Sequence, residues 1–323
     1  MANYELIFDM GSAYIAAGLR KDGFTDKIPS VVAVSGDSDQ IAAVGVEALN
    51  LASAYGGSGV KLAHPILEGA IIDVDGAKAL ISALLERLVH YKMSAFSRYN
   101  VSCVVPCGMI SSDKKTIESV FLSLGAKQVA FVETPVADSI KLFKEFRVRQ
   151  GVVVNLGYDC ADVAVVCANA IVSGCTMYHS GKHLTEAITD RIKNKYLIQL
   201  SYEQAEYLKT TCCSLYPNDS SVCSVTGQNV QSGAPECVNI SSKELYDTVV
   251  DFARKYVKVI QGLVVSLPPD VAVSVKSVGV MLCGGGAKLA GLDMFLQNEL
   301  GLPVKLAAFP EDVTINGMLD CDK

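Results

Sequence analysis

One pattern in this chain occurs twice. An apolar run, Tyr4 to Phe8, ends in Asp9-Met-Gly-Ser-Ala13, and a second apolar run, Ile15 to Leu19, follows at once. Far along the chain, Gly151-Val-Val-Val154 ends in Asn155-Leu-Gly-Tyr-Asp159, and Val163 to Cys167 returns. The two turns align as Asp/Asn-x-Gly, 146 residues apart (9 to 155). Apolar runs joined by a tight Gly turn predict a β-hairpin. A repeated hairpin predicts two related halves, each opening with a turn that points at one shared cleft.

The rest of the pattern is α/β. Helical periodicity spans Ala77 to Tyr91, Ser111 to Leu124, and Pro135 to Phe146, the last with Ile140 and Phe143 on its apolar stripe. Helices are also predicted at Leu184 to Lys195, Tyr202 to Cys213 and Lys243 to Val265, the last two opened by the capping boxes Ser201-Tyr-Glu-Gln204 and Ser241-Ser-Lys-Glu244. Residues 216–240 read as strands of a small subdomain. Pro268-Pro269 reads as a stop, Ser277 to Leu282 as a buried strand, and Lys288 to Leu300 as a helix. A length of 323 residues allows two domains. We expect one lobe over 1–145, with a small subdomain near 30–65, and a second over 146–323, with one near 182–242.

Composition narrows the function classes. Net charge is -6, which argues against a nucleic-acid partner, since those binders carry a basic field. No apolar run is long enough for a membrane-spanning helix, and the first residues lack the basic region of a leader. The eleven cysteines form no CxxC pair and read as reduced thiols of a cytoplasmic protein. His179 and His183 have Gly181 between them and no carboxylate to complete a metal set.

Three Gly turns sit at strand ends: at Gly11, at Gly157, and at Gly284, Gly285 and Gly286. Gly lets backbone N–H groups approach an anion, and the third turn feeds a helix N-terminus. Each turn alone reads first as a bare structural turn; three on a repeated frame are more specific. Asp9 reads either as a carboxylate that holds Mg²⁺ through water or as a turn residue capping its own backbone.

The order of these motifs resembles the actin superfamily, and within it the bacterial MreB family, almost end to end. The residues that carry the resemblance are Asp9-Met-Gly-Ser-Ala-Tyr14, His64-Pro-Ile-Leu-Glu-Gly69, Val132-Glu-Thr-Pro135, Ala205-Glu-Tyr-Leu-Lys209, Leu267-Pro-Pro-Asp270 and Gly284-Gly-Gly-Ala-Lys-Leu-Ala-Gly-Leu-Asp293. The resemblance implies an actin-like (ribonuclease H-like) duplicated, bilobed α/β fold around a nucleotide cleft. It implies ATP and Mg²⁺ as cofactors and self-association head to tail into filaments. It also implies a cytoplasmic location at the inner face of the membrane, and cell-wall synthesis and shape proteins as partners.

By position, the resemblance assigns Asp9 to Mg²⁺ and Gly11, Ser12, Ala13 and Tyr14 to the β/γ-phosphates. Gly157, Tyr158, Asp159 and Cys160 would form the second phosphate loop. Glu206 and Lys209 would face ribose and base, and Gly284, Gly285, Gly286, Ala287 and Lys288 the α-phosphate and adenine. Met93 and Phe96, among Lys92, Arg98 and Tyr99, fall where the family often inserts an apolar membrane loop; they read equally as an ordinary loop.

The sequence departs from the family where hydrolysis happens. The second loop usually reads Asp-Ile-Gly-Gly-Gly-Thr and here reads Asn155-Leu-Gly-Tyr-Asp-Cys160. The family's water-orienting Glu is replaced by Thr134, whose hydroxyl is no base near neutral pH. Glu133 could stand in only by turning to the other face of its strand. Asp159 would place negative charge beside phosphate. Weakened or lost hydrolysis is therefore expected. A nucleotide-independent scaffold or filament modulator, and an active ATPase or phosphotransferase of the superfamily, are the alternatives.

Overall fold

The computed structural model describes residues 3–36, 39–55, 59–92 and 98–321. The first half opens with β1 (Asn3–Met10), β2 (Tyr14–Leu19) and β3 (Phe24–Pro29). A small sheet follows, built from β4 (Val32–Ser35), β5 (Ile41–Val44) and β6 (Val60–Ala63), with α1 (Gly45–Tyr55) packed against it. Next come the short pair β7 (Ile66–Leu67) and β8 (Ala70–Ile71), then α2 (Val74–Lys92), β9 (Arg98–Val105), α3 (Ser111–Ser123), β10 (Ala126–Glu133) and α4 (Thr134–Phe146).

The second half opens with β11 (Gln150–Leu156), β12 (Ala161–Cys167) and β13 (Ala170–Met177). These lead into α5 (Gly181–Tyr196), β14 (Ile198–Gln199), α6 (Tyr202–Cys212), β15 (Val222–Asn229) and β16 (Pro235–Ser241). The chain continues through α7 (Ser242–Val265), α8 (Pro269–Val278), β17 (Val280–Cys283), α9 (Leu292–Leu300), β18 (Val304–Leu306) and α10 (Val313–Asp320).

The duplication seen in the sequence is present in the topology. One sheet runs β3-β2-β1-β9-β10 and the other β13-β12-β11-β17-β18. In each, three antiparallel strands are followed by two parallel ones. Register is kept as well: Asp9 faces Ala16 across its hairpin, and Asn155 faces Asp162. Each sheet carries its own core. Leu6, Phe8, Leu80, Leu84 and Phe121 pack in the first, and Val154, Val163, Leu245, Val249 and Tyr256 in the second.

The seam between the sheets is helical. α4 packs against β11 and β12 as well as β10, while α10 packs on α4 and reaches β1 and β2. Ile7, Val104, Ala137, Ile315, Met318 and Leu319 form the small core there. On α4 the buried face carries Ala137, Asp138, Ser139, Leu142 and Phe143, so Ile140, expected on the stripe, lies at its margin. The expected helix at 288–300 is a 3₁₀ turn over Gly285–Lys288 and, after Gly291 in a left-handed conformation, the helix α9. Gly284 to Gly286 therefore lead into a single tight turn, which carries less dipole than the long helix expected. Pro268-Pro269 ends α7 but also starts α8, with proline at the first helical position.

Candidate functional site

The two repeated turns are closed in the same way. A Cβ added to Gly11 would lie 2.5 Å from the Tyr14 carbonyl oxygen, and one added to Gly157 would lie 2.6 Å from that of Cys160. Only Gly fits at either point, because the chain folds back directly over its own α-carbon. The first turn is braced by Ser30, whose hydroxyl donates to the Gly11 carbonyl at 2.6 Å and whose N–H donates to Ala13 at 2.9 Å. Ser12 is buried, while the Tyr14 ring is exposed beneath the Lys27 ammonium at 5.8 Å and so stands clear of the turn.

The third turn locks onto the second. Gly284 has φ +81°, and a Cβ there would collide with Asn155 Oδ1 and the Leu156 carbonyl. One added to Gly286 would lie 2.9 Å from Leu156 Cβ. Ala287 is buried, whereas Lys288 pairs with Glu311 at the surface.

Between the turns lies a group of carboxylates. Asp9, at the end of β1, has its carboxyl pushed up to about 6, first by burial and then by the nearby Asp162 charge. Asp162 is buried and also raised by burial, though it accepts from Thr176 Oγ1 at 2.5 Å and from the Cys107 N–H at 3.0 Å. Because Cys107 follows β9 and Asp162 lies on β12, that bond ties the two sheets across the cleft. A second tie is the Glu68 N–H donating to Asp159 at 3.4 Å. Asp159 is itself buried and faces the Lys182 ammonium at 3.5 Å. Its charge, expected to oppose phosphate, is thus partly matched inside the protein.

The positions that depart from the family are held in definite ways. Thr134 starts α4, and its hydroxyl donates to the Val105 carbonyl at 3.0 Å. Glu133 accepts the Gly108 N–H at 2.8 Å. The Thr134 hydroxyl and one Glu133 oxygen are thus tied to the end of β9 and the connection that follows it. Asn155 donates from Nδ2 to Asp138 at 2.8 Å and to Thr314 Oγ1 at 3.1 Å. Thr314 donates to the other Asp138 oxygen at 2.7 Å, and the Cys283 thiol reaches Asp138 at 3.4 Å. Asp138 is fully buried, and burial pushes its carboxyl up to about 7 against the three hydrogen bonds that favour its charge. Asp138, Asp162 and Thr314 were not singled out from the sequence. The signal for Asp162 was available: it is the residue that faces Asn155 across the hairpin.

On the far side of the second turn stand Glu206 and Lys209 of α6. They pair at 2.8 Å, Thr185 donates to Glu206 at 2.7 Å, and Lys209 donates to the Gly181 carbonyl at 3.1 Å. Tyr158 sets its ring edge-on to Tyr202 at 6.2 Å. The Gly181 and Lys182 N–H groups in turn donate to the Gly157 and Tyr158 carbonyls. The α5–α6 wall and the second turn are therefore one connected unit. Met93 and Phe96 lie outside the described residues. Among the described residues no three metal-ligating side chains converge, and none of the helices is long and apolar enough to cross a membrane. Each of the eleven cysteines is a free thiol.

Comparison with known proteins gives this geometry a family. Residues 3–323 match the family described as MreB/Mbl protein. The cell shape-determining protein Mbl of Bacillus subtilis (strain 168) is 27% identical over 317 residues, covering 97% of this chain and 94% of that protein. The cell shape-determining protein MreB of Escherichia coli (strain K12) is 27% identical over 316 residues, covering 96% and 90%. In shape, the chain is similar to MreB5 of Spiroplasma citri bound to AMPPNP, with a TM-score of 0.91 at 22% identity over 98% of this chain and 95% of that one. It is also similar to a MamK double helical filament, with a TM-score of 0.83 at 17% identity over 99% and 98%. The fold is actin-like, and the chain belongs to the MreB/Mbl family.

Proposed function

We propose that this protein is an ATP-binding, filament-forming subunit of a cell-shape cytoskeleton in which hydrolysis is slowed or lost. The observation that carries the reading is the pair of Gly turns at Gly11 and Gly157, closed alike, with the Gly284 turn locked onto the second. Turns tight enough to exclude any Cβ suit the close approach of backbone N–H groups to phosphate oxygens. In this reading Glu206 and Lys209 face the ribose and base, and their side chains are already held by Thr185 and Gly181. Asp9 and Asp162 supply the negative charge that a hydrated Mg²⁺ ion needs, and such an ion would offset their mutual repulsion. Nucleotide-bound relatives such as MreB5 with AMPPNP, and the filament of MamK, support the same reading.

Slowed hydrolysis rests on Thr134 and Glu133. Thr134 offers a hydroxyl bonded to Val105 in place of a carboxylate, and the Glu133 carboxylate is directed by the Gly108 N–H to the β9–α3 connection. In this reading residues 1–145 and 146–323 act as two lobes that meet a neighbouring subunit head to tail. The protein lies at the inner face of the cytoplasmic membrane, reached through the side chains of Met93 and Phe96, and serves cell-wall synthesis and shape proteins.

The test is calorimetric titration with ATP and Mg²⁺, followed by phosphate release and filament sedimentation on the same sample. Binding and sedimentation with slow release are expected. Release at the rate of an intact family site would overturn the slowed-hydrolysis part, and absence of binding would overturn the nucleotide part. A second reading, a nucleotide-independent scaffold, is favoured by the Glu68–Asp159 and Cys107–Asp162 bonds, which tie the cleft without a ligand. Filaments that form equally well without nucleotide would support it.

A further inference from the structure

Asp159 lies in the second turn, shortly after Gly157, and is only 3% exposed. Its carboxylate bridges the two halves of the molecule. Oδ2 accepts the Glu68 N–H of the first half at 3.4 Å, and Oδ1 faces the Lys182 ammonium of the second at 3.5 Å. The Glu68 donor is held by its own hairpin. Glu68 and Gly69 form the turn between β7 and β8, with φ +53° and +78°. Positive φ at both positions is the primed turn that two-residue hairpins favour. The tip rests on the β9–α3 connection, where a Cβ on Gly69 would lie 2.3 Å from Pro106 Cγ. Pro106 is followed by Cys107, whose N–H takes Asp162. The first half thus presents two backbone donors to the second, and a carboxylate of the chain itself accepts each.

The field at this turn is negative. The Cys160 thiol is pushed up, first by burial and then by the charges of Asp162, Asp159, Glu68 and Asp9. Carboxylates from both halves therefore act on one point. Lys182 is the ammonium that faces Asp159, but its side chain is 33% exposed while that of Asp159 is 3% exposed. Water screens the cation more than the buried anion, so the pair does not cancel inside the turn.

We propose that the nucleotide cleft prefers a nucleoside diphosphate to a triphosphate and that Asp159 sets the preference; this rests on the nucleotide reading above. In a triphosphate switch the terminal phosphate is the anion that holds mobile segments closed. Here Asp159 supplies an anion from within the turn, and the first half is already bonded to it. A triphosphate brings an additional negative charge into the field of Asp159. Mg²⁺ accompanies either nucleotide, so its charge drops out of the comparison. Even across about 10 Å, at an effective dielectric of about 20, repulsion between unit charges weakens binding about tenfold.

The test is calorimetric titration of the full-length protein with ADP and with AMPPNP, each with Mg²⁺, on the natural chain and on Asp159→Asn. We expect the natural chain to bind ADP about tenfold tighter than AMPPNP. Asparagine keeps an oxygen for the Glu68 N–H and removes the charge. Asp159→Asn should therefore tighten AMPPNP and bring the two affinities together. If that variant fails to fold, Lys182→Gln decides: loss of the counter-charge should widen the ratio, and an unchanged or narrower one would overturn the proposal. Equal affinities in the natural chain, or a ratio that Asp159→Asn leaves unchanged, would overturn it while the nucleotide reading stands. Absence of binding for both nucleotides would overturn the two together.

Discussion

At position 134 a hydroxyl stands where the family resemblance implies a carboxylate, and the Val105 carbonyl already takes its proton. Replacing it should restore an acceptor for the attacking water. We expect Thr134→Glu to raise the rate of phosphate release by about 10²-fold, the low end for a positioned general base. Phosphate release by the variant with ATP bound is the measurement, and an unchanged rate would mean that the Asn155 change alone disables the site. Asp138 makes a different prediction. Its folded carboxyl sits near 7 against an ordinary 3.8, so the folded state holds its proton more tightly than the unfolded chain. That contribution to stability is complete below about pH 4 and is lost as pH rises through about 7, at most about 4 kcal/mol in all. Asp9, raised to about 6, acts with the same sign. Asp138→Asn should therefore lose less melting temperature than the natural protein between about pH 5 and about pH 8. An equal loss in both would remove Asp138 as the source. The sequence hid this residue because Asp on a helix defaults to solvent. Its place was readable only from Leu142, four residues on, which shares its buried face.

Elements were legible where period and punctuation agreed. The two hairpins could be read because apolar runs flank a tight Gly turn, and α7 because Leu245, Val249, Phe252, Tyr256 and Ile260 recur on one helical face. β3 was missed because Phe24–Pro29 alternates polar residues along a half-exposed edge strand, which looks like a turn. α8 was missed because two prolines were read only as a stop. The two capping boxes separate on inspection. At α7, Ser241 and Glu244 make both reciprocal bonds, and Glu244 also holds Lys195 and Tyr196 of the α5 end. At α6, Ser201 accepts from Gln204 N–H without a reciprocal bond. Burial pushes the Glu244 carboxyl up, but Lys195, Tyr196 and Ser241 outweigh it and hold it near 2. We expect Ser241→Ala to cost about 1 kcal/mol in denaturant unfolding, and Ser201→Ala less, since a single cap bond is lost there. Equal costs would show that the bond from the Ser241 hydroxyl to Glu244 adds nothing.

Across the whole molecule, the two halves meet through α10 and α4 and through the cleft carboxylates. The repeated hairpin made the duplicated frame readable, and glycines at strand ends made its three turns readable. Neither showed that the last helix turns back to the first sheet, because the apolar stretch after Phe309-Pro310 is short and carries no period of its own. Gly317 marks how closely that helix docks: a Cβ there would collide with the Ala137 carbonyl on α4. Docking also delivers Thr314 to Asp138 and Asn155, so the Asn155 turn is held from beneath by a residue 159 positions further along the chain. Gly317→Leu should force α10 away from α4, withdraw Thr314 and leave Asp138 with one fewer donor. Global stability should fall by about 3 kcal/mol or more, as expected of overpacking at a buried backbone contact. The sharper readout is nucleotide affinity. Thr314→Val keeps α10 docked and removes only the hydroxyl, so it should weaken ATP binding with a smaller loss of stability. If Gly317→Leu unfolds the protein while Thr314→Val binds ATP normally, α10 serves the fold alone. If both lose nucleotide, the C-terminal helix is part of the machinery that holds the Asn155 turn in shape.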